Sequence, residues 1–304
     1  MLSRANIYKE LGNGICIYPL NTENIKENSI NVTASEYAWT TGNGVVCWCG
    51  GNEFHIESKI DGKKIKKRYE FYRGSKSVFD VKSDGKKYLI LLPHSTTVIE
   101  TLEVVALGNN IGGAVHSKVS IVAKGVGDTG TMLGPGYCGH LMLSLHNITD
   151  DVIALPINST FVSLTFDYLE TPVQRTSITS PSHYDRLLEL KFKISEDDQK
   201  YFSQDWKGNF ESIQTKLCES DEFKKFEDTY KKYKLKVFKK WFTIKRILSI
   251  VAFFMVTVFI GYLAYFADKK LGTSVWEERF WTVLIANIIG CCLPGLFNSI
   301  FNRR

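Results

Sequence analysis

The sequence has few cysteines, seven in 304 residues. Apart from the adjacent Cys291 and Cys292 in an apolar run near the C-terminus, only Cys47 and Cys49 lie close together. A single intervening residue is not the spacing of a zinc ribbon or of a thioredoxin-type redox site, and no second spaced pair or histidine cluster supplies further ligands. We therefore expect no metal site and no cofactor. We interpret the cysteines as small apolar residues in a reducing compartment.

A secretory signal peptide is also missing from residues 1–20, which include Arg4, Lys9 and Glu10 and contain no continuous apolar stretch. The sequence shows no internal repeat and no low-complexity tract. Its composition, 44% hydrophobic and 23% charged, excludes a disordered, collagen-like or disulfide-stapled protein. We therefore expect a folded N-terminal part in the cytosol.

The formal charge of +6 belongs to one segment. Residues 224–246 contain ten Lys or Arg against two acids, which makes +8 there and leaves −2 for the rest. Apolar residues recur nearby at the three- and four-residue spacing of an amphipathic helix, namely Phe223, Phe226, Tyr230, Tyr233 and Val237. We interpret residues 191–245 as a basic helical stalk whose cations lie at a lipid surface, with nucleic-acid binding as the alternative.

Two uncharged runs follow the basic segment, at residues 247–267 and 280–301. A helix of the first run spans about 31 Å, the thickness of a bilayer's hydrocarbon core. We predict a two-helix transmembrane hairpin over residues 246–304, with a pair of buried core helices as the alternative. Cations flank the hairpin outside both runs, which predicts that both termini are cytoplasmic and that the protein is a multi-pass protein of the inner (plasma) membrane.

The first part of the chain has the alternating pattern of strands, which predicts a mainly β domain over residues 1–190. The predicted strands are residues 29–38, 44–49, 54–60, 69–72, 87–92, 96–106, 117–123, 141–146 and 161–168. Residues 51–87 are polar and lysine-rich, which indicates an exposed insertion. Further along, Ser195 followed by Asp198 three residues later predicts the start of a helix.

Three blocks of the sequence resemble the dCTP deaminase and dUTPase superfamily, and dCTP deaminase more than dUTPase. The blocks are residues 1–35, with a short helix, a glycine and a strand ending in proline; residues 91–126, ending in a phosphate-binding helix-turn; and residues 134–172, with an aromatic turn. The resemblance implies a distorted β barrel or jelly-roll-like fold that forms homotrimers with nucleotide sites between subunits. It does not extend to residues 190–304.

The family's catalytic carboxylates are replaced in this sequence. The resemblance places the proton-shuttling glutamate on Ser144 and the aspartate of the aromatic turn on Gly134. A serine hydroxyl cannot accept and return a proton near neutral pH, so we expect the protein not to be an enzyme. Strand alternation puts Ser144 on one face with Met142 and His146, and we expect this face to point inward.

The parts of the family site that the sequence retains suit binding rather than catalysis. In the phosphate motif a lysine and a serine remain, whereas the second arginine falls on Ala123. The predicted ligand-binding residues are Lys118, Ser120, Gly134, Tyr137, Ser144 and His146. They would bind a nucleotide, a nucleotide-derived messenger or a short oligonucleotide; the alternative is that they only maintain the fold.

A cytosolic sensor joined to a membrane module resembles bacterial anti-phage effectors. We therefore expect a homo-oligomer, a trimer or tetramer, that forms a ligand-gated ion channel or pore in the lipid bilayer. Asn287, Asn298 and Ser299 are candidates to line the pore, with hydrogen bonding between helices as the alternative. Two other functions stay open: a membrane-anchored dCTP deaminase or dUTPase-type hydrolase with relocated acids, and an anchor that recruits a partner through residues 51–87.

Overall fold

The protein divides into two compact units, Met1–Glu227 and Asp228–Arg304. A computed structural model describes residues 1–60, 62–81, 85–128, 130–173 and 183–271. The first unit extends well beyond residue 190, where the sequence pattern placed the end of the β domain. The segment just after residue 190 is therefore part of the folded domain.

The described residues form fourteen strands and six α-helices. The strands are β1 (Ile15–Tyr18), β2 (Ile30–Thr40), β3 (Gly44–Gly50), β4 (Glu53–Ile56), β5 (Lys67–Phe71), β6 (Val78–Val81), β7 (Lys86–Leu91), β8 (Ser95–Leu107), β9 (Ile111–Ser117), β10 (Val126–Asp128), β11 (Met132–Leu133), β12 (Cys138–Asn147), β13 (Ile153–Pro156) and β14 (Thr160–Tyr168). The helices are α1 (Arg4–Glu10), α2 (Val119–Val122), α3 (His183–Glu189), α4 (Glu196–Phe202), α5 (Phe210–Glu219) and α6 (Asp221–Leu271). The prediction of a mainly β first domain is confirmed.

The largest sheet has eight strands in the order β10-β12-β8-β2-β14-β9-β11, with β1 also paired to β8. Side chains alternate between the two faces of each strand, so each face carries its own cluster. Leu143, Ile99 and Ala38 lie in register across β12, β8 and β2 and belong to the main core. One face of the sheet is therefore the interior of the domain.

The opposite face of the same three strands is covered by the chain's own later residues. Trp39 and Val98 pack there with Leu187 and Phe192 in a second buried cluster. We call residues 183–208, which include α3 and α4, the covering segment. The predicted start of α4 is confirmed, because Ser195 accepts a hydrogen bond from the Asp198 N–H at 3.2 Å and returns one to the Asp198 carboxylate.

The lysine-rich insertion at residues 51–87 has a hydrophobic core of its own. Its strands belong to two three-stranded sheets, ordered β4-β3-β5 and β13-β7-β6. Phe54, Phe71 and Phe79 are buried there with Trp48. The insertion is exposed at its lysines, as expected, but it is also a folded subdomain.

Helix α5 and the start of α6 pack onto the β domain. Ile213 and Leu217 of α5 are fully buried in the main core. The Phe223 ring lies against Gly12, whose φ of +82° is a conformation that suits glycine. The predicted stripe therefore begins inside the domain, whereas Tyr233 further along is 64% exposed.

The first predicted membrane span, residues 247–267, lies within α6. Among the described residues, no helix is both long enough and apolar enough to cross a bilayer. The transmembrane hairpin is therefore not confirmed and stays a prediction. The second span, residues 280–301, lies outside the described residues, as do the candidate pore residues Asn287, Asn298 and Ser299.

Candidate ligand site

The predicted phosphate motif forms a tight helical turn. The strand predicted at residues 117–123 is wrong, because β9 ends at Ser117 and α2 begins two residues later. The Lys118 carbonyl accepts hydrogen bonds from the Ile121 and Val122 N–H groups, and Gly125 closes the turn with a φ of +83°. A local hydrogen-bonded turn thus overrides the strand preference of the β-branched residues.

Lys118 and Ser120 differ in exposure on this turn. The Lys118 ammonium donates a hydrogen bond of 2.6 Å to the Thr160 hydroxyl, which holds the half-buried cation against β14. The Ser120 side chain is exposed. The turn therefore presents a hydroxyl to solvent beside a positioned ammonium group.

The aromatic turn holds Tyr137 in one orientation. The Tyr137 N–H donates to the Gly134 carbonyl at 3.1 Å, and the Tyr137 hydroxyl donates to the His140 carbonyl. Burial raises the pKa of this hydroxyl and the Glu100 carboxylate adds to the effect, while the Arg186 guanidinium opposes it. Tyr137 is thus a neutral side chain near neutral pH, and its hydroxyl proton is donated to a carbonyl within the domain.

Ser144 and His146 lie on the face of β12 that the strand pattern identified, but this face is not the core. Leu143 and Leu145 point to the core, whereas Ser144 and His146 are half-buried. The face of Ser144 is therefore turned towards the second buried cluster, which includes Val98 and Leu187, and not towards the main core. His146 is held through its Nδ1, 2.8 Å from the Thr96 hydroxyl.

A cleft of about 220 Å³ opens beside the aromatic turn. Its walls include Leu133, Leu141, Met142, Leu143, Tyr137 and Arg186. Of the six predicted ligand residues, Tyr137 is the one that the described part of the chain brings to this cleft. Lys118 and Ser120 lie on the α2 turn, Gly134 precedes Tyr137 in the exposed loop, and β12 carries the remaining two.

Buried polar side chains join the covering segment to the sheet. Glu100 on β8 and His140 on β12 are buried, with 0% and 5% exposure, and Lys207 is 6% exposed. His140 Nδ1 donates to the Thr101 carbonyl at 2.9 Å, so in the neutral ring Nε2 accepts the hydrogen bond of 3.0 Å from the Tyr201 hydroxyl. These contacts fix α4 on the sheet.

Lys207 is a buried cation in the same cluster. Its ammonium donates to the Tyr201 carbonyl at 2.8 Å and lies over the Tyr201 ring. Burial lowers the pKa of this ammonium to about 8, and the Glu100 carboxylate opposes the shift. Since an uncompensated buried charge is costly, the Glu100 carboxylate favours the charged form of Lys207 against the effect of burial.

Four of these residues, Glu100, Tyr201, Lys207 and Arg186, were not identified from the sequence. Three of them lie beyond residue 172, where the resemblance ends, and Glu100 was embedded in an apolar strand pattern. A charged residue in such a pattern is a weak signal on its own. Only the packing of segments about a hundred positions apart brings these side chains together.

The part of the chain that carries the α2 turn and Tyr137 is matched by a family model. The model, described as DCD: dCTP deaminase-like, covers residues 1–169. The chain belongs to the dCTP deaminase-like family. The covering segment, α5 and α6 lie beyond the matched residues, and with them Arg186, Tyr201 and Lys207.

Two curated relatives are dCTP deaminases of archaea. That of Pyrococcus horikoshii is 30% identical over 98 residues, 32% of this chain and 62% of the relative. That of Pyrococcus furiosus is 29% identical over 107 residues, 35% of this chain and 66% of the relative. The chain thus spans less than two thirds of the length of either relative.

Among solved structures, the 2′-deoxycytidine 5′-triphosphate deaminase from Agrobacterium tumefaciens is similar over 56% of this chain and 48% of its own. The two are 12% identical, with a TM-score of 0.37. A similarity at this level supports no argument about activity. Family membership therefore rests on the match to residues 1–169.

Proposed function

We propose that this protein binds a nucleotide without deaminating it, and that binding is relayed to a membrane module. The observation that carries the proposal is Ser144 in a family domain whose resemblance calls for a glutamate at that position. Proton transfer to and from a pyrimidine ring needs a group that ionises near neutral pH, and a hydroxyl does not. Glu100 lies on the neighbouring strand, opposite Met142, but it is fully buried.

The binding proposal is supported by the groups that the family domain keeps. Lys118 and Ser120 place a cation and a hydroxyl on one turn, and such pairs suit a phosphate. Tyr137 places an aromatic ring at the cleft. The family resemblance supports a trimer with sites between subunits, in which a neighbouring copy would complete each site.

The membrane part of the proposal is supported by the sequence. The uncharged runs at residues 247–267 and 280–301 would anchor the protein in the inner (plasma) membrane, with both termini cytoplasmic. Ligand binding would then gate an oligomeric channel, provided that the ligand prefers one of two states of the assembly. The resemblance to anti-phage effectors supports a role in phage defence.

The deaminase question is decided by incubating residues 1–227 with dCTP and with dUTP, using the Pyrococcus horikoshii dCTP deaminase as a positive control. We expect nucleotide binding by calorimetry but no dUTP, dUMP or ammonia above the protein-free rate. If residues 1–227 form the same product as the positive control, the protein is a tethered nucleotide-converting enzyme instead.

The membrane question is decided by reconstituting the full chain in liposomes. We expect the full chain to float with lipid and to release trapped ions in a nucleotide-dependent way, whereas residues 1–227 stay in the soluble fraction. A full chain that neither floats nor conducts under any nucleotide condition would refute the channel. A plaque assay on cells with and without the protein tests the defence role.

A further inference from the structure

The cleft beside Tyr137 has walls from two sources. Tyr137, Leu141 and Met142 belong to the family domain, whereas Arg186 comes from α3 of the covering segment. The covering segment thus forms one wall of the cleft. A ligand in the cleft would touch residues that the family model does not include.

Among the described residues that line the cleft, Arg186 is the one that carries a charge. Its guanidinium acts on the Tyr137 hydroxyl, where it lowers a pKa that burial and Glu100 raise. The positive potential of Arg186 therefore extends into the cleft. Arg186 is also an exposed residue, so it can meet an incoming anion.

The size of the cleft limits what it can hold. Its volume of about 220 Å³ lies below the 300–1,000 Å³ typical of clefts for drug-sized ligands. The walls combine apolar side chains with the Thr131 and Tyr137 hydroxyls and the Arg186 guanidinium. One flat ring system with one anionic group fits this combination. Within one subunit the described lining offers one aromatic ring and one cation, whereas a dinucleotide brings two bases and two negative charges.

We propose that Arg186 binds the phosphate of a single nucleotide whose base lies in the cleft beside Tyr137 and Met142. A guanidinium offers two parallel N–H donors that match two phosphate oxygens, a geometry that an ammonium group does not provide. The inference rests on the proposed nucleotide-binding function, narrows its ligand to a mononucleotide, and places the phosphate at Arg186 instead of at Lys118 and Ser120, which do not line the cleft. It also makes the covering segment a direct ligand contact.

That contact would place the ligand on the segment that leads to the long helix. The covering segment is held on the sheet through Tyr201 and Lys207, and it continues into α5 and α6. A ligand bound between Tyr137 and Arg186 would stabilise the docked position of α3. Binding would thus shift the equilibrium of the covering segment towards its docked position.

The test uses the full chain and measures binding of the common ribo- and deoxyribonucleoside monophosphates, and of the matching nucleosides, by calorimetry. We expect Arg186→Ala to weaken the monophosphate that the wild type prefers by at least tenfold and to leave its nucleoside unchanged. Lys200→Ala is the matched control, since it removes an exposed cation of the same segment that does not line the cleft. Thermal unfolding of each variant verifies that it is folded.

The failures of the two proposals are distinguishable. A wild type that binds the monophosphate, together with an Arg186→Ala variant that binds it equally well, would overturn the Arg186 assignment while nucleotide binding stands. A wild type that binds none of these compounds would overturn both proposals. Equal losses in Arg186→Ala and Lys200→Ala would mean that the effect is general electrostatics and would also overturn the assignment.

Discussion

The Tyr201 hydroxyl lies 3.0 Å from Nε2 of His140 and joins the covering segment to the central sheet. His140 belongs to the matched family domain, and Tyr201 lies 61 residues further along the chain. Tyr201 also stacks on Tyr37, with ring centroids 3.8 Å apart. One aromatic side chain thus holds α4 against two strands of the domain.

Removing that hydroxyl is expected to destabilise the domain. In Tyr201→Phe the ring can still stack on Tyr37, but the buried Nε2 of His140 loses its partner, which costs about 1–3 kcal/mol. Urea unfolding of residues 1–227 measures this change. The control is Tyr168→Phe, whose hydroxyl bonds to Glu10 at the surface, and we expect a loss below about 1 kcal/mol there. If both substitutions lower the free energy of unfolding equally, the hydrogen bond from Tyr201 to His140 does not have the expected stabilising role.

Gly12 is expected to be sensitive to substitution because two costs coincide there. Its φ of +82° disfavours any side chain, and a Cβ would lie 2.5 Å from the Phe223 ring. Gly51 has a φ of +54° with nothing within 4 Å of a Cβ, so Gly51→Ala reports the backbone cost alone. We expect Gly12→Ala to lower the free energy of unfolding by about 1–3 kcal/mol more than Gly51→Ala. Equal losses in the two variants would show that Phe223, at the start of α6, moves aside without lowering the free energy of unfolding.

Lys207 is expected to give the domain a pH dependence in the alkaline range. Burial lowers the pKa of its ammonium from 10.5 to about 8. Between these values the unfolded chain binds a proton that the folded chain does not, so the Lys207 contribution to folding becomes more favourable as pH rises. Below pH 8 both states are protonated and the contribution is constant.

The measurement is the free energy of unfolding of the wild type minus that of Lys207→Met, followed from pH 8 towards pH 10.5. We expect this difference to grow in favour of the wild type. Lys200→Met, whose ammonium is exposed, is the control and is expected to give a flat difference. A flat or falling difference for Lys207 would refute the buried position of its ammonium.

Truncation is expected to locate the end of the folded domain at Glu227. Residues 1–190 lack Phe192, Ile213, Leu217 and Phe223, all of which are buried. Each such side chain contributes about 1.5–3 kcal/mol by its burial. We expect residues 1–227 to unfold cooperatively as a soluble domain, and residues 1–190 to aggregate or to lose the transition in a thermal scan. Equal melting temperatures would place the boundary at 190 after all.

Much of the β domain could be predicted from local pattern. The alternation in residues 29–38 and 96–106 identified β2 and β8, and the Ser195 and Asp198 spacing identified α4. The strand at residues 117–123 was wrong, because β-branched side chains prefer strands while a local hydrogen-bonded turn closed by Gly125 decides otherwise. The strand β9 was missed, since two glycines interrupt its apolar pattern.

The candidate site was predicted only in its family part. The motif around Tyr137 could be read from residues in succession, and it does line the cleft. The second wall of the cleft could not be predicted. Arg186 lies on the exposed side of α3, and a cation there is typical of any helix at a protein surface. Nothing local distinguishes a cation at a cleft from a cation in water.

The amino-acid sequence by itself determined the alternating strands, the family motifs and the cap of α4, since each depends on residues close together in the chain. Only the tertiary structure decided that the chain after residue 182 covers the Ser144 face and that α5 and the start of α6 belong to the β domain. The physical reason is that these contacts, such as the Trp39 indole N–H bonded to the Lys193 carbonyl 154 residues away, depend on burial and shape between distant segments. No local periodicity encodes which distant surface a side chain will meet.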